Sequence, residues 1–221
     1  MGGATSRYVL AAAGFCMSHA IPYRRKARQA GNNMESTRQV ASLDEAKSKA
    51  AGDGTLVLID FFNPLWRGCQ QMDAVTYLDE RVVAFMNEHV VPVKVDICSE
   101  PLPEQYNVQW TPTLVLADAE DKEHHRTVGW LSPEDLIAPL FHGIGQTHID
   151  HGECSSARTA LQRVVSDYPD SDAAPEALYL SGVVHYKQSD HIHAMNETLT
   201  QLREKYLTSE WTQRASVYEA A

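Results

Sequence analysis

Closely spaced cysteines are absent from this 221-residue sequence. Its four cysteines are Cys16, Cys69, Cys98 and Cys154. Zinc ribbons and disulfide-rich scaffolds need paired or regularly spaced cysteines, so both classes are excluded. So few, so widely separated cysteines favour a reducing, cytoplasmic-type compartment.

Basic residues are also scarce. Lysine and arginine total 19 against 29 aspartate and glutamate residues, which gives a formal net charge of −10. Phosphate binding needs clustered Lys and Arg, so nucleic acid is excluded as the main partner.

Long hydrophobic runs are missing as well. The apolar segment Tyr8 to Met17 holds about ten residues, too few to span a bilayer, and we expect no stable membrane insertion. We interpret residues 1–33 as a disordered or leader-like extension. In the alternative, residues 1–20 act as a signal peptide and the protein is exported.

The most informative stretch that is present runs from Leu56 to Met72, LVLIDFFNPLWRGCQQM. Its apolar first half predicts a buried strand, Asn63-Pro64 predicts a turn, and the rest predicts a helix with Cys69 in its first turn. The positive end of a helix favours thiolate, and Arg67 adds a cation. We therefore expect a lowered pKa for Cys69.

Periodicity and capping residues predict an α/β domain with a mixed sheet, followed by helices alone. The predicted helices are 42–51, 68–76, 79–88 and one capped by Ser132, with a short turn or helix at 100–106, and the predicted strands are 56–62, 90–96, 113–117 and 126–130. Three further helices are predicted at 155–168, 173–187 and 192–206.

The helical part contains a weak internal repeat. Residues 161–171 match residues 199–209 at an offset of 38, with Leu161 against Leu199 and Tyr168 against Tyr206. A two-helix unit of this period resembles a tetratricopeptide repeat.

Residues 40–142 resemble a thioredoxin-fold domain. The residues that carry the resemblance are Asp60-Phe61-Phe62, Cys69, Val93-Lys94-Val95-Asp96, Trp110-Thr111-Pro112-Thr113-Leu114 and Gly129-Trp130. We accordingly divide the chain into an extension (1–33), a thioredoxin-like domain (34–142) and a tetratricopeptide-like helical domain (143–221). Some bacterial thioredoxin-like proteins carry such a helical extension.

The resemblance also shows where this chain departs from its family. The family has a Trp-Cys-x-x-Cys motif whose second cysteine lies nine residues after a buried Asp, and counting nine from Asp60 reaches Cys69. Trp66 then stands in the position of the attacking cysteine and cannot form a disulfide. In a shifted register, Cys69 would be the nucleophile and Met72 would replace the resolving cysteine.

Three further residues have roles implied by the resemblance. Pro112 resembles the family's cis-proline, which leaves the backbone of Thr111 open to an extended peptide. Asp60 resembles the buried acid that assists proton movement; the alternative is a strand-end acid bonded to nearby backbone. Cys98 is expected near Cys69 at the same sheet edge, either as a separate small thiol or, less favoured, disulfide-bonded to Cys69.

Ten histidines raise the question of a metal. His148, His151 and Cys154 are spaced by three, but Gly152 interrupts their helix and no fourth ligand completes a set. His124 and His125 lie in a charged turn and are expected to face solvent. The sequence predicts no metal site and no cofactor.

Three functions remain open. The preferred one is a thiol-binding, peptide-binding or redox-sensing module that lacks the dithiol site and sits on a helical-repeat scaffold. The second is a monothiol oxidoreductase that uses Cys69 with an external small thiol. The third is a structural adaptor for protein partners. The candidate catalytic residues are Cys69 and Asp60, and the candidate binding residues are Trp66, Arg67, Thr111 and Pro112.

Overall fold

The computed structural model describes residues 37–98 and 101–219, so the extension predicted at 1–33 lies outside the described residues. The strands are β1 (Leu56–Phe62), β2 (Val90–Asp96), β3 (Thr113–Ala117) and β4 (Glu123–Val128). The α-helices are α1 (Leu43–Asp53), α2 (Arg67–Ala74), α3 (Glu80–His89), α4 (Leu102–Gln105), α5 (Pro133–Asp150), α6 (Cys154–Asp167), α7 (Ala174–Ser189), α8 (His193–Lys205) and α9 (Glu210–Ala215). Short 3₁₀ helices cover Thr76–Leu78 and Ser216–Tyr218.

The four strands form one mixed sheet in the order β2-β1-β3-β4. Strands β1 and β2 are parallel, whereas β3 is antiparallel to both β1 and β4. In this register Phe61, near the end of β1, pairs with Thr113, the first residue of β3. The carboxyl ends of β1 and β2 and the start of β3 therefore lie at one sheet edge. The thiol site is built at this edge.

Strand β1 is a continuous apolar run because both faces of the sheet are covered. Val57, Ile59 and Phe61 are buried in one cluster that includes residues of α1. Leu58 lies in the other cluster, which contains residues of α3 and of the long helix α5. The mixed sheet with helices on both faces confirms the fold class predicted from the sequence.

Two helices of this domain begin at the capping residues that the sequence predicts. The hydroxyl of Ser42 accepts from the backbone N–H of Glu45, and that of Ser132 accepts from Asp135. Each satisfies a backbone donor that the first turn of a helix leaves unpaired.

Strand β4 was predicted at 126–130 but covers Glu123–Val128. The carboxylate of Asp118 accepts hydrogen bonds from the backbone N–H groups of Glu120 and Lys122 and closes a tight turn after β3. The next strand therefore begins at once, and polar residues that resemble a loop are drawn into the sheet. The prediction that His124 lies in a turn is wrong for this reason.

The helical part begins within the α/β domain. Helix α5 packs on the sheet and continues without interruption to Asp150, across the predicted division at residue 142. Leu116 of β3, Leu136 of α5 and Leu161 of α6 belong to one buried cluster. The sheet and the first helices of the repeat therefore share a core.

The internal repeat has a structural counterpart. A Cβ atom on Gly145 would lie 2.7 Å from Leu161, and one on Gly182 would lie 2.2 Å from Thr198. In each helix pair, α5 with α6 and α7 with α8, a glycine thus permits close contact, although the two glycines are 37 residues apart and so lie one residue out of the 38-residue register of the repeat. Among the helices within residues 37–98 and 101–219, none combines the length and apolar character needed to cross a membrane.

Candidate functional site

A tight turn at Asn63 positions the start of α2. Its backbone carbonyl accepts from the N–H of Trp66, and its side-chain oxygen accepts from the N–H of Leu65 at 2.9 Å. Trp66 is the N-cap residue and makes no side-chain capping hydrogen bond. Arg67 follows as the first helical residue and is exposed, and Cys69 comes two positions later.

Cys69 is sealed inside the protein, because only 2% of it is exposed. Burial raises the pKa of its thiol, and this outweighs the hydrogen bond that the backbone N–H of Asn63 donates to the sulfur at 3.4 Å. The lowered pKa expected from the helix start is wrong, because removing a thiolate from water costs more here than the helix end returns.

Cys69 is a free thiol. The disulfide between Cys69 and Cys98 that the sequence left open is therefore not formed. Asn63 lies between the two residues, with its backbone N–H on the sulfur of Cys69 and its side-chain amide 4.0 Å from the sulfur of Cys98.

Pro112 follows a cis peptide bond from Thr111, as predicted. Its ring presses against α2, since a Cβ atom on Gly68 would lie 2.9 Å from the Cδ of Pro112. The carbonyl of Pro112 accepts from the N–H of Gly129 at 2.8 Å. Thr111 is buried close to Cys69, and its hydroxyl makes no hydrogen bond with the described residues. The structure thus brings Thr111, Pro112 and Cys69 together.

Large apolar side chains surround this closed thiol on the outside. The exposed fractions are 58% for Leu65, 39% for Trp66, 63% for Trp110 and 45% for Trp130. The rings of Trp66 and Trp110 meet edge to face with centroids 6.2 Å apart, and Trp130 lies beside Gly68. We call these four residues the aromatic surface.

Asp60 lies beneath the site in a buried charge network. Its carboxylate accepts a hydrogen bond from the hydroxyl of Tyr77 at 3.0 Å and lies 3.7 Å from the ammonium of Lys94. Lys94 also pairs with Asp73. Burial raises the pKa of Asp60 despite Lys94 and Tyr77, and the second Asp60 oxygen has no hydrogen-bond partner among the described residues. The alternative of a strand-end acid bonded to backbone is not what the structure shows.

Sequence reasoning missed Tyr77 and Asp73 in this network. Their signal in the sequence is faint, because an aspartate on the short polar helix α2 and a tyrosine in the 3₁₀ helix that follows it resemble surface residues. A polar lysine within the alternating strand β2 was the one visible hint.

A second cluster lies at the other end of β3. Single ligand atoms of Asp118, His124 and His151 lie within 4.8 Å of one another. The prediction that His124 faces solvent is wrong, because its side chain is fully buried. His148, by contrast, pairs with Glu153 at 2.6 Å rather than with His151.

Comparison with known proteins agrees with this architecture. Residues 43–144 match the family profile of the thioredoxin-like domain, and residues 141–171 match a tetratricopeptide repeat. The chain is 41% identical over 101 residues to a thioredoxin from Chlamydia trachomatis, a match that covers 45% of this chain and 91% of that protein. The chain belongs to the thioredoxin-like family.

Two further similarities extend the comparison. The chain is 26% identical over 114 residues to the thiol:disulfide interchange protein DsbD of Ralstonia nicotianae, covering 49% of this chain and 19% of that protein. The solution structure of a thioredoxin from Thermus thermophilus superposes with a TM-score of 0.45 at 25% identity, over 54% of this chain and 93% of that one. The sequence relatives place the α/β domain in a family of thiol-disulfide oxidoreductases.

Proposed function

We propose that the α/β domain binds an extended, apolar segment of a protein partner on the aromatic surface and does not carry out dithiol exchange. One observation carries this proposal. The helix position suited to an attacking cysteine holds the exposed Trp66, whereas Cys69, the one cysteine of α2, is sealed and has a raised pKa.

The aromatic surface supports binding because its large apolar side chains are exposed to solvent. Tryptophan buries a large area at little cost in side-chain entropy, and a contiguous exposed apolar patch marks an interaction site. Arg67 stands exposed at its edge. The expected ligand is therefore an extended segment with bulky apolar side chains and an acidic neighbour.

The helical part supports a protein partner independently. The match to a tetratricopeptide repeat indicates an element that takes part in protein–protein interaction. Helices α6, α7 and α8 enclose a groove of about 480 Å³, lined by Arg158, Leu178, His185 and Glu197 among others. A partner that fills both surfaces gains from their linkage in one chain.

The monothiol reaction is disfavoured by the same geometry. An attacking thiol must present a thiolate to its substrate, and mixed-disulfide formation with an external thiol requires access to the sulfur. Cys69 has neither property in this structure. Cys69 is instead buried on α2 beside Gly68, which lies close to Pro112, and a redox-sensing role would require that this packing opens first.

Disulfide reduction of insulin tests the loss of the dithiol site. Trp66→Cys places a thiol on the helix N-cap, three residues before Cys69, where the helix end favours thiolate. We expect turnover by Trp66→Cys and none by the wild type or by Trp66→Ser, which removes the ring without adding sulfur. An active wild type would refute the proposal.

Binding is tested separately with a permanently unfolded protein, such as reduced and carboxymethylated lactalbumin, followed by tryptophan fluorescence and calorimetry. We expect Trp110→Ala to weaken binding by roughly tenfold, the loss of an aromatic anchor. The matched control is Leu207→Ala, an apolar residue that is 70% exposed in the helical part. Equal binding by both variants would contradict the assignment of the aromatic surface.

A further inference from the structure

Three elements bring metal-binding side chains to the end of β3 that lies opposite Pro112. Asp118 follows β3 directly, His124 is the second residue of β4, and His151 is the C-cap of α5. One carboxylate oxygen and one nitrogen from each ring lie within 4.8 Å of one another. Strand β3 is roughly 15 Å long, so this cluster is separate from the thiol site.

The surroundings of the His124 side chain are those of a metal ligand. Its side chain is fully buried, and its Nε2 lies 2.9 Å from the carboxylate of Asp118. Its Nδ1 is buried 3.3 Å from the carboxylate of Asp150 and makes no hydrogen bond with the described residues. When Nε2 of a histidine binds a metal ion, an outer carboxylate in the place of Asp150 orients the ring through its other nitrogen. The ring of His151 stands edge to face against that of His124, with centroids 5.7 Å apart.

We propose that Asp118, His124 and His151 bind one divalent transition-metal ion, with Zn²⁺ as the representative. Two imidazoles and one carboxylate are a ligand set that this ion uses with a water in the fourth position. Calcium and magnesium prefer oxygen ligands and do not match two ring nitrogens.

The geometry needs a small adjustment. Ligand bonds of about 2.1 Å place ligand atoms about 3.4 Å apart in a tetrahedral site. The exposed ring of His151 closes the difference by moving about 1 Å inward, whereas Asp118 and His124 are already at hydrogen-bonding distance. Asp150 is held by Lys122 at 2.7 Å, which leaves the fourth position to water.

The bound ion would join two parts of the fold. Asp118 and His124 belong to the β3–β4 hairpin, whereas His151 ends the helix that leads into the repeat. An ion at this place fixes the carboxyl end of α5 against the sheet and thereby sets the direction of the following helices. Because it binds the folded chain alone, it raises the melting temperature.

Zinc binding by the full-length, chelator-treated chain tests the proposal. Isothermal calorimetry measures affinity and stoichiometry, Co²⁺ absorption reports coordination, and the melting temperature reports linkage to folding. We expect one ion per chain and a higher melting temperature. His151→Ala should weaken Zn²⁺ binding by more than about tenfold, the loss seen when even an outer partner of a metal ligand is removed.

His148→Ala is the matched control, because His148 lies one turn earlier on α5 and pairs with Glu153. It should bind Zn²⁺ as the wild type does. Both substituted residues lie at least partly in solvent, so both variants should fold, which circular dichroism verifies. The proposal is overturned if the wild type binds no stoichiometric Zn²⁺, or if His151→Ala and His148→Ala bind equally, which would indicate adventitious histidine binding.

Discussion

The two ends of strand β3 differ in whether their reactive side chains are accessible for chemistry. At the Pro112 end, the thiol of Cys69 is buried beside Gly68, which lies close to Pro112, while apolar rings are exposed to solvent. At the Asp118 end, nitrogen and oxygen ligand atoms converge, and a buried ring nitrogen of His124 makes no hydrogen bond with the described part of the chain. The end with the recognisable motif is thus chemically closed, and the end without a motif has the donors. Packing, rather than position in a motif, decides which side chains can react.

The largest expected effect concerns the charges beneath the closed end. Lys94 is 4% exposed and stands between the carboxylates of Asp60 and Asp73. Lys94→Met leaves two buried acids without a cation, and we expect a loss of about 3–5 kcal/mol in the free energy of unfolding. Urea denaturation at pH 7 measures it.

The control for this loss is Lys47→Met, which removes a lysine that is 25% exposed and pairs with Asp121 on the surface. Its expected cost is at most about 1 kcal/mol. The deficit of Lys94→Met should shrink in acid, because the pKa of Asp60 is already raised by burial and protonation neutralises the stranded charge. Equal losses in the two variants would mean that the buried ion pairs of Lys94 stabilise the fold no more than a surface ion pair does.

The region near Pro112 shows how much of the structure can be predicted from the sequence. Strands β1, β2 and β3 were predicted with their observed ends because each is an apolar or alternating run bounded by turn residues. The order of elements and the capping residues then indicated the fold. The position of Cys69 on its helix was also predicted, but its pKa was not, because burial depends on how α2 packs against Pro112.

The other end could not be predicted because no local signal exists. Asp118, His124 and His151 come from a turn, a strand and a helix end, and only the register of β3 with β4 brings them together. That register depends on the tight turn that Asp118 closes with its own carboxylate. A histidine that resembles a loop residue is thereby carried into the interior.

The next effect in size is a pH dependence on the opposite face of β4. His142 of α5 is buried beside His125, with ring centroids 5.9 Å apart. Burial, together with the charge of His125, lowers the pKa of His142 to about 4. The unfolded chain, with a histidine pKa of about 6.5, therefore takes up this proton first as the pH falls. Stability from His142 is complete above about pH 6.5 and falls by about 3 kcal/mol towards pH 4.

Urea denaturation at pH 7 and pH 4 measures this contribution as a difference between proteins. His142→Leu should lose about 3 kcal/mol less than the wild type on acidification, whereas His185→Leu, on an exposed position of α7, should behave as the wild type. Glu176 lies 3.5 Å from His142, but burial raises the pKa of Glu176, so it offers little negative charge in acid. A wild-type acid response in His142→Leu would show that other groups control the slope.

The smallest expected effect tests the closure itself. A Cβ atom on Gly68 would lie 2.9 Å from the ring of Pro112, whereas one on Gly52 of α1 would meet nothing within 4 Å. Gly68→Ala should therefore cost about 1–2 kcal/mol through overpacking. Gly52→Ala should be neutral or add up to about 1 kcal/mol, since alanine favours the helix.

The second measurement is the rate at which Cys69 is alkylated under native conditions in the wild type and in Gly68→Ala. Cys154, which is partly exposed, serves as the internal reference. In the wild type, Cys69 should react far more slowly than Cys154. A destabilised Gly68→Ala whose Cys69 reacts faster would mean that contact between α2 and Pro112 keeps the thiol out of water. If Gly68→Ala instead gained stability like Gly52→Ala, the seal over Cys69 would have to come from Asn63 and the turn before the helix.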